Sequence, residues 1–211
     1  MKETATNYRR EEKLNAISHA IGAVLGIIGM FFLLAKNTNK TSYATISIVI
    51  YSISLVVLFS ASTVFHSVSR VHLRKGFRIV DHISIFILIA GTYTPLVLIS
   101  LVEENGWSMF YTVWGIAAVG TVLKLFFTGK YEIISLVLYV VMGWLIAFDY
   151  ENLMQQTSTL GIRLLFLGSA FYCVGIVFYA IEKIRYNHFI WHLFVLGGAI
   201  SHWLFIYLDV I

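Results

Sequence analysis

The chain has 211 residues, 59% of them apolar and only 12% charged, with a formal net charge of +4 and a mean hydropathy of +0.82. A soluble domain is about 45–50% apolar and about 25% charged, so this composition excludes an ordinary soluble fold and predicts an integral, multi-pass protein of the cell membrane. The basic excess then reports orientation in the bilayer rather than nucleic-acid binding, and the single cysteine, Cys173, excludes an intrachain disulfide and a cysteine-rich metal site.

A hydrocarbon core about 30 Å thick needs about 20 apolar residues per helical span, which leaves room for one membrane domain over residues 1–211 and no soluble one. Seven apolar runs can be read along the chain: 14–35, 43–66, 80–101, 107–127, 133–148, 160–181 and 188–208. They are continuous rather than alternating, which predicts an all-α, seven-transmembrane helix bundle instead of barrel strands. Lys2, Arg9, Arg10 and Lys13 precede the first run as they would a signal peptide. Its 22 residues exceed a signal h-region and no small-x-small cleavage site follows before Lys36, so it is expected to stay as a span. Gly22-x-x-x-Gly26 within it reads as a helix-packing notch. Pro95, the only proline, is predicted to bend the third span, and Trp107 to anchor the fourth at the interface. The fifth run has only 16 residues and must be short, thin the bilayer, or borrow its flanks.

With the N-terminus inside, the cytoplasmic segments hold Lys2, Arg9, Arg10, Lys13, Arg70, Arg74, Lys75, Arg78, Lys124, Lys130, Lys183 and Arg185, against Lys36, Lys40 and Arg163 outside. This asymmetry predicts a cytoplasmic N-terminus and, with an odd number of spans, an external C-terminus.

An ionisable side chain at the middle of a span costs at least about 2.5–3.5 kcal/mol, so the few that are present require a reason. His19 lies near the start of span 1, His66 at the end of span 2, Asp81 and His82 at the start of span 3, and His188 and His192 at the start of span 7. The alternating directions of the spans bring all of them to the cytoplasmic end. Residues four apart share a helix face, which pairs Ser62 with His66 and His188 with His192, and aligns Glu11, Asn15 and His19 if the first helix begins early. Such a histidine pair can offer two imidazole nitrogens to one cation about 2.0–2.1 Å away, with His66 as third ligand, and Asp81 can hold and deprotonate a water in the open fourth position. Nitrogen ligands fit Zn²⁺ better than Mg²⁺ or Ca²⁺. A lone histidine near a helix end is more often an interfacial residue; the conjunction of these groups at one depth favours a metal site.

These residues carry a resemblance. From EKLNAISHAIG through SASTVFHSVSR and DHISIFILIAGTYTPL to HFIWHLFVLGGAISHW, the chain resembles the haemolysin III proteins, the bacterial branch of the progestin and adipoQ receptor (PAQR) family. The motifs are Glu11-x3-Asn15-x3-His19, Ser62-x3-His66 followed by Asp81, and His188-x3-His192. The resemblance implies seven helices, a cytoplasmic N-terminus and a zinc ion near the cytoplasmic leaflet, held in the family's adiponectin receptors by the counterparts of His66, His188 and His192. There the aspartate matching Asp81 reaches the metal through water. The wider superfamily includes alkaline ceramidases, which hydrolyse a lipid amide with similar residues. By this likeness Ser62 would hydrogen-bond the water or the developing oxyanion, while Glu11, Asn15 and His19 would support the site. The chain lacks the long cytoplasmic N-terminal region of the animal receptors, so hormone recognition is not expected of it.

Three functions follow: a zinc-dependent membrane hydrolase acting on a lipid amide or ester, a cytolytic or pore-forming protein, and a membrane protein of signalling or lipid homeostasis whose zinc is structural. The first is favoured, because three histidines and an aspartate leave a coordination position open, while no span carries the polar stripe of a wide pore. Membrane lipids, one of them a substrate, are the expected partners. His82 sits about 100° round the helix from Asp81, and His202 lies about 15 Å deeper than His192, so neither is expected on the same ion. His72, in the loop RVHLRKGFR, is expected against anionic headgroups.

Overall fold

The computed structural model describes residues 2–181 and 183–211, with side chains from Asn7 onward; the side chain of Lys2, counted above among the basic residues, lies outside that set. Among the described residues the fold is all helical, and seven segments are long and apolar enough to cross a membrane. The elements are α1 (Lys2–Lys36), α2 (Ala44–Ser67), α3 (Val71–Pro95), α4 (Gly106–Phe127), α5 (Glu132–Trp144), α6 (Tyr150–Gln156), α7 (Thr159–Ala180) and α8 (Asn187–Phe205).

Three departures from uniform helix follow from local chemistry. Pro95 has no N–H to continue the α-helical ladder, and the backbone behind it widens into a π-helical turn, Leu96–Ser100, closed by Leu101 N–H on the Leu96 carbonyl at 3.2 Å. The fifth span does borrow a flank: α5 tightens into a 3₁₀ turn, Leu145–Asp149, and continues through α6, giving 25 residues in all. A second π-helical turn, Ile206–Val210, ends the seventh span.

Helix α1 lies against α2 and α8, α2 against α3, α3 against α4 and α5, and α7 against α8, so α8 closes the bundle between α7 and α1. Gly22 and Gly26 do form a packing notch. A Cβ at Gly22 would stand 2.7 Å from the Phe59 ring, and one at Gly26 3.3 Å from Val56. The outward faces are apolar, with Phe148 90%, Ile133 78% and Phe126 74% exposed, a surface that suits lipid and not water. Inside, Tyr51, Phe59, Phe86, Leu33 and Ile48 are fully enclosed. The connections put the starts of α1, α3, α5 and α8 and the ends of α2, α4 and α7 at one end of the bundle; this near end carries the site.

Candidate metal centre

The nitrogens of His66, His188 and His192 lie within 4.8 Å of one another. Their rings form a triangle, with centroids 5.1 Å apart for His66 and His188, 4.9 Å for His66 and His192, and 4.8 Å for His188 and His192. Nitrogens around a tetrahedral zinc stand about 3.4 Å apart, a spacing that small ring rotations reach from here. His66 comes from the last turn of α2 and the other two from the first turns of α8, so two helices adjacent to α1 supply the set.

Two of the three rings, those of His66 and His192, are held by their Nδ1. His66 Nδ1 donates to Glu12 Oε2 at 3.3 Å, and the same oxygen takes Arg74 Nη2 at 2.5 Å. A carboxylate only accepts, so Nδ1 carries a proton, and in the neutral ring Nε2 then carries the lone pair. That Nε2 is buried with no hydrogen-bond partner, a state costing about 1–3 kcal/mol unless something else takes the lone pair. His192 repeats the arrangement: Nδ1 donates to the Asn15 carbonyl at 3.3 Å, with the Ser18 hydroxyl 3.5 Å away. Ligating histidines are oriented this way, by a carboxylate or carbonyl on the far nitrogen. The donor set therefore fits a metal ion, on the orphaned Nε2 as well as on the spacing.

The remaining sequence candidates fall around this triangle. Ser62 is buried and its hydroxyl neighbours the Asp81 carboxyl, and both line one cavity with His188 and His192. His19 stacks on His192, centroids 3.6 Å apart at 10°, with its edge to Phe59, and both its ring nitrogens are buried and unpartnered. Asn15 acts through its backbone carbonyl rather than its amide, whose oxygen is buried and unpartnered. Glu11 has one buried oxygen with no partner, and it is the adjacent Glu12 that holds His66. Sequence reasoning missed Glu12 and Arg74, because spacing within α1 aligns Glu11 with His19 and says nothing of what crosses to α2.

His82 lines the same cavity but pairs with a different set of groups. Its Nδ1 is 3.5 Å from Glu132 Oε2, an oxygen that also takes Lys124 Nζ at 2.5 Å, while Arg78 reaches Glu132 Oε1 at 3.4 Å. This second charged cluster ties α3, α4 and α5 together. His72 is exposed, and Cys173 lines the cavity as a free thiol.

Seven apolar helices enclosing a buried histidine triangle near one end define a multi-pass membrane protein with a site able to hold a metal ion. A family model described as Haemolysin-III related matches residues 7–203, and the chain belongs to that family. It is 39% identical over 195 residues to "Hemolysin-3" of Bacillus cereus, covering 92% of this chain and 89% of that protein. It is 40% identical over 191 residues to "Hemolysin-3 homolog" of Bacillus subtilis (strain 168), covering 90% of each. "Monocyte to macrophage differentiation factor" of Homo sapiens is 32% identical over 199 residues, covering 92% of this chain and 82% of that protein. No solved structure matches.

Proposed function

We propose that the chain is a zinc-dependent membrane hydrolase cleaving a lipid amide or ester, with His66, His188 and His192 as ligands and the site on the cytoplasmic side. The observation that carries this is the buried, unpartnered Nε2 of His66, on a ring clustered with two further imidazoles beside a carboxyl and a hydroxyl that line a cavity. Bound zinc would polarise the scissile carbonyl and make a water acidic enough to attack at neutral pH. Asp81 takes the proton of that water and returns it to the leaving amine or alcohol. Ser62 orients the Asp81 carboxyl or donates to the oxyanion as it forms. Glu12 and the Asn15 carbonyl keep the rings in the tautomer that presents Nε2, and Arg74 fixes Glu12. The apolar walls exclude bulk water and admit a lipid chain.

Metal analysis of purified protein, together with lipid profiles of cells expressing wild type or His188→Ala, tests this reading. About one zinc per chain, lost in the variant along with depletion of an acyl amide or ester, supports it; a metal-free, fully folded wild type contradicts it. A structural ion is the second reading, favoured because the ligands come from two helices and would fasten α2 to α8. It predicts a large loss of thermal stability on chelation and no lipid turnover. Lysis, which the bacterial relatives' names carry, would appear as dye release from liposomes that His192→Ala leaves unchanged.

A further inference from the structure

The cavity, about 170 Å³, extends well beyond the histidine triangle, and its far part is lined by Thr92, Ser169 and His202. Thr92 is eleven residues beyond Asp81 on α3, Ser169 is ten from Tyr179 on α7, and His202 is ten beyond His192 on α8. At about 1.5 Å per residue, all three stand about 15–17 Å from the near-end groups of their own helices, at one level near the middle of the spans. Three helices thus bring a polar side chain to the same depth in a mostly apolar cavity that Tyr93 and Tyr172 also line.

Their donors are already committed. Thr92 Oγ1 donates to the Leu88 carbonyl at 2.8 Å, Ser169 Oγ to the Leu165 carbonyl at 3.1 Å, and His202 Nε2 to that same Leu165 carbonyl at 3.1 Å. A carbonyl only accepts, so His202 carries its proton on Nε2 and a lone pair on Nδ1. The His202 ring is seated in a notch at Gly168, where a Cβ would collide with its Cδ2–Nε2 edge, and this turns the Nδ1 edge away from α7. Among the described residues Nδ1 has no hydrogen-bond partner, and His202 lines the cavity. What this level offers a ligand is therefore a belt of acceptors: two hydroxyl oxygens and one imidazole nitrogen. These three side chains keep no free donor for a carbonyl or carboxylate oxygen; the Tyr172 phenol, which also lines the cavity, is rooted one turn nearer the histidine triangle on α7.

We propose that the belt of Thr92, Ser169 and His202 binds a hydroxyl in the middle of a long-chain lipid, and so selects a hydroxylated chain as ligand. An extended chain of single bonds advances about 1.2 Å per bond, so the hydroxyl sits roughly a dozen bonds from a carbonyl held at the histidine triangle. The substrate class in this form rests on the hydrolase reading; the belt itself does not.

The test uses the full-length, zinc-loaded chain in nanodiscs and three probes: octadecanamide, 12-hydroxyoctadecanamide and 12-oxooctadecanamide. Binding is measured by displacement of a fluorescent fatty amide, and hydrolysis is followed in parallel by mass spectrometry. The hydroxy chain binds about tenfold more tightly than the unsubstituted one, and the oxo chain no better than the unsubstituted one. His202→Phe abolishes the hydroxyl preference and leaves affinity for octadecanamide unchanged. Thr92→Val, isosteric and safe for folding, reduces the preference about threefold, and His202→Asn, which keeps a donor and an acceptor, restores part of it. Equal binding of the three chains by wild type, or a preference that survives both His202→Phe and Thr92→Val, overturns the proposal. Selective binding without any cleavage leaves the belt standing and counts against the hydrolase; cleavage with no selectivity does the reverse.

Discussion

At the near end of the bundle, His66 Nε2 and both nitrogens of His19 are buried without a hydrogen-bond partner. At the far end, several polar side chains are fastened to backbone. Lys36 donates to the Tyr207 carbonyl, Lys40 reaches the Val210 carbonyl at 3.0 Å, and the Asp209 carboxylate accepts the Ser158 N–H at 3.1 Å. Asp149 takes the amides of Asn105 at 3.0 Å and Asn152 at 2.7 Å, keeping one oxygen unpaired. The far end resembles helix capping, in which cations satisfy the last carbonyls of α8 and an acid satisfies the start of α7. At the near end the imidazoles of His66, His188 and His192 come together, with His66 Nε2 left unpartnered. A buried lone pair without a donor is unfavourable in a structural role and suitable for holding a cation. Unpartnered polar atoms occur at both ends, Ser47 Oγ and Thr157 Oγ1 among them at the far end; among the described residues it is the near end that gathers three imidazoles.

The sharpest break between the ends is chemical. Asp81→Asn lowers turnover of a cleavable lipid amide by about 10²–10⁴-fold while zinc content stays at wild-type level, as expected of a proton acceptor that is not a ligand. Loss of zinc together with activity would move Asp81 into the ligand set. Glu12→Gln weakens zinc affinity by about 10–100-fold, measured by chelator competition, because the His66 ring loses its anionic anchor. An unchanged affinity would reduce Glu12 to a partner of Arg74 alone. Chelation speeds amide hydrogen exchange in the last turn of α2 and the first turns of α8, and leaves residues 206–211 as protected as before. Uniform deprotection would show that the ion holds the whole bundle together. The smallest effect belongs to the far end: Lys36→Met lowers stability by about 1 kcal/mol in a denaturant titration, with no change in zinc content.

Much of this was legible in the sequence, because in a membrane a hydrophobic run and a misplaced charge both stand out against their surroundings. The seven spans, the Gly22 and Gly26 notch and the convergence of His66, His188 and His192 all came from local pattern, while Pro95 marked a break in regular helix without giving its π-helical form. The length of the fifth span was hidden, since Asp149 and Glu151 interrupt the apolar run while the 3₁₀ turn and α6 carry the helix on. Glu12 was hidden for a different reason. Its partner lies on another helix, and spacing along α1 reports only which residues share a face of α1. The use of the Asn15 backbone, rather than its side chain, for His192 has no sequence signal at all.

The central claim is that the near-end triangle exists to hold a zinc ion. Elemental analysis of the full-length protein purified without added metal, alongside a His66→Ala, His188→Ala double variant shown by circular dichroism to remain helical, tests it directly. The account predicts about one zinc per wild-type chain and less than a tenth of that in the variant. A wild-type protein that is folded and free of metal, or a variant that retains its zinc, would contradict it.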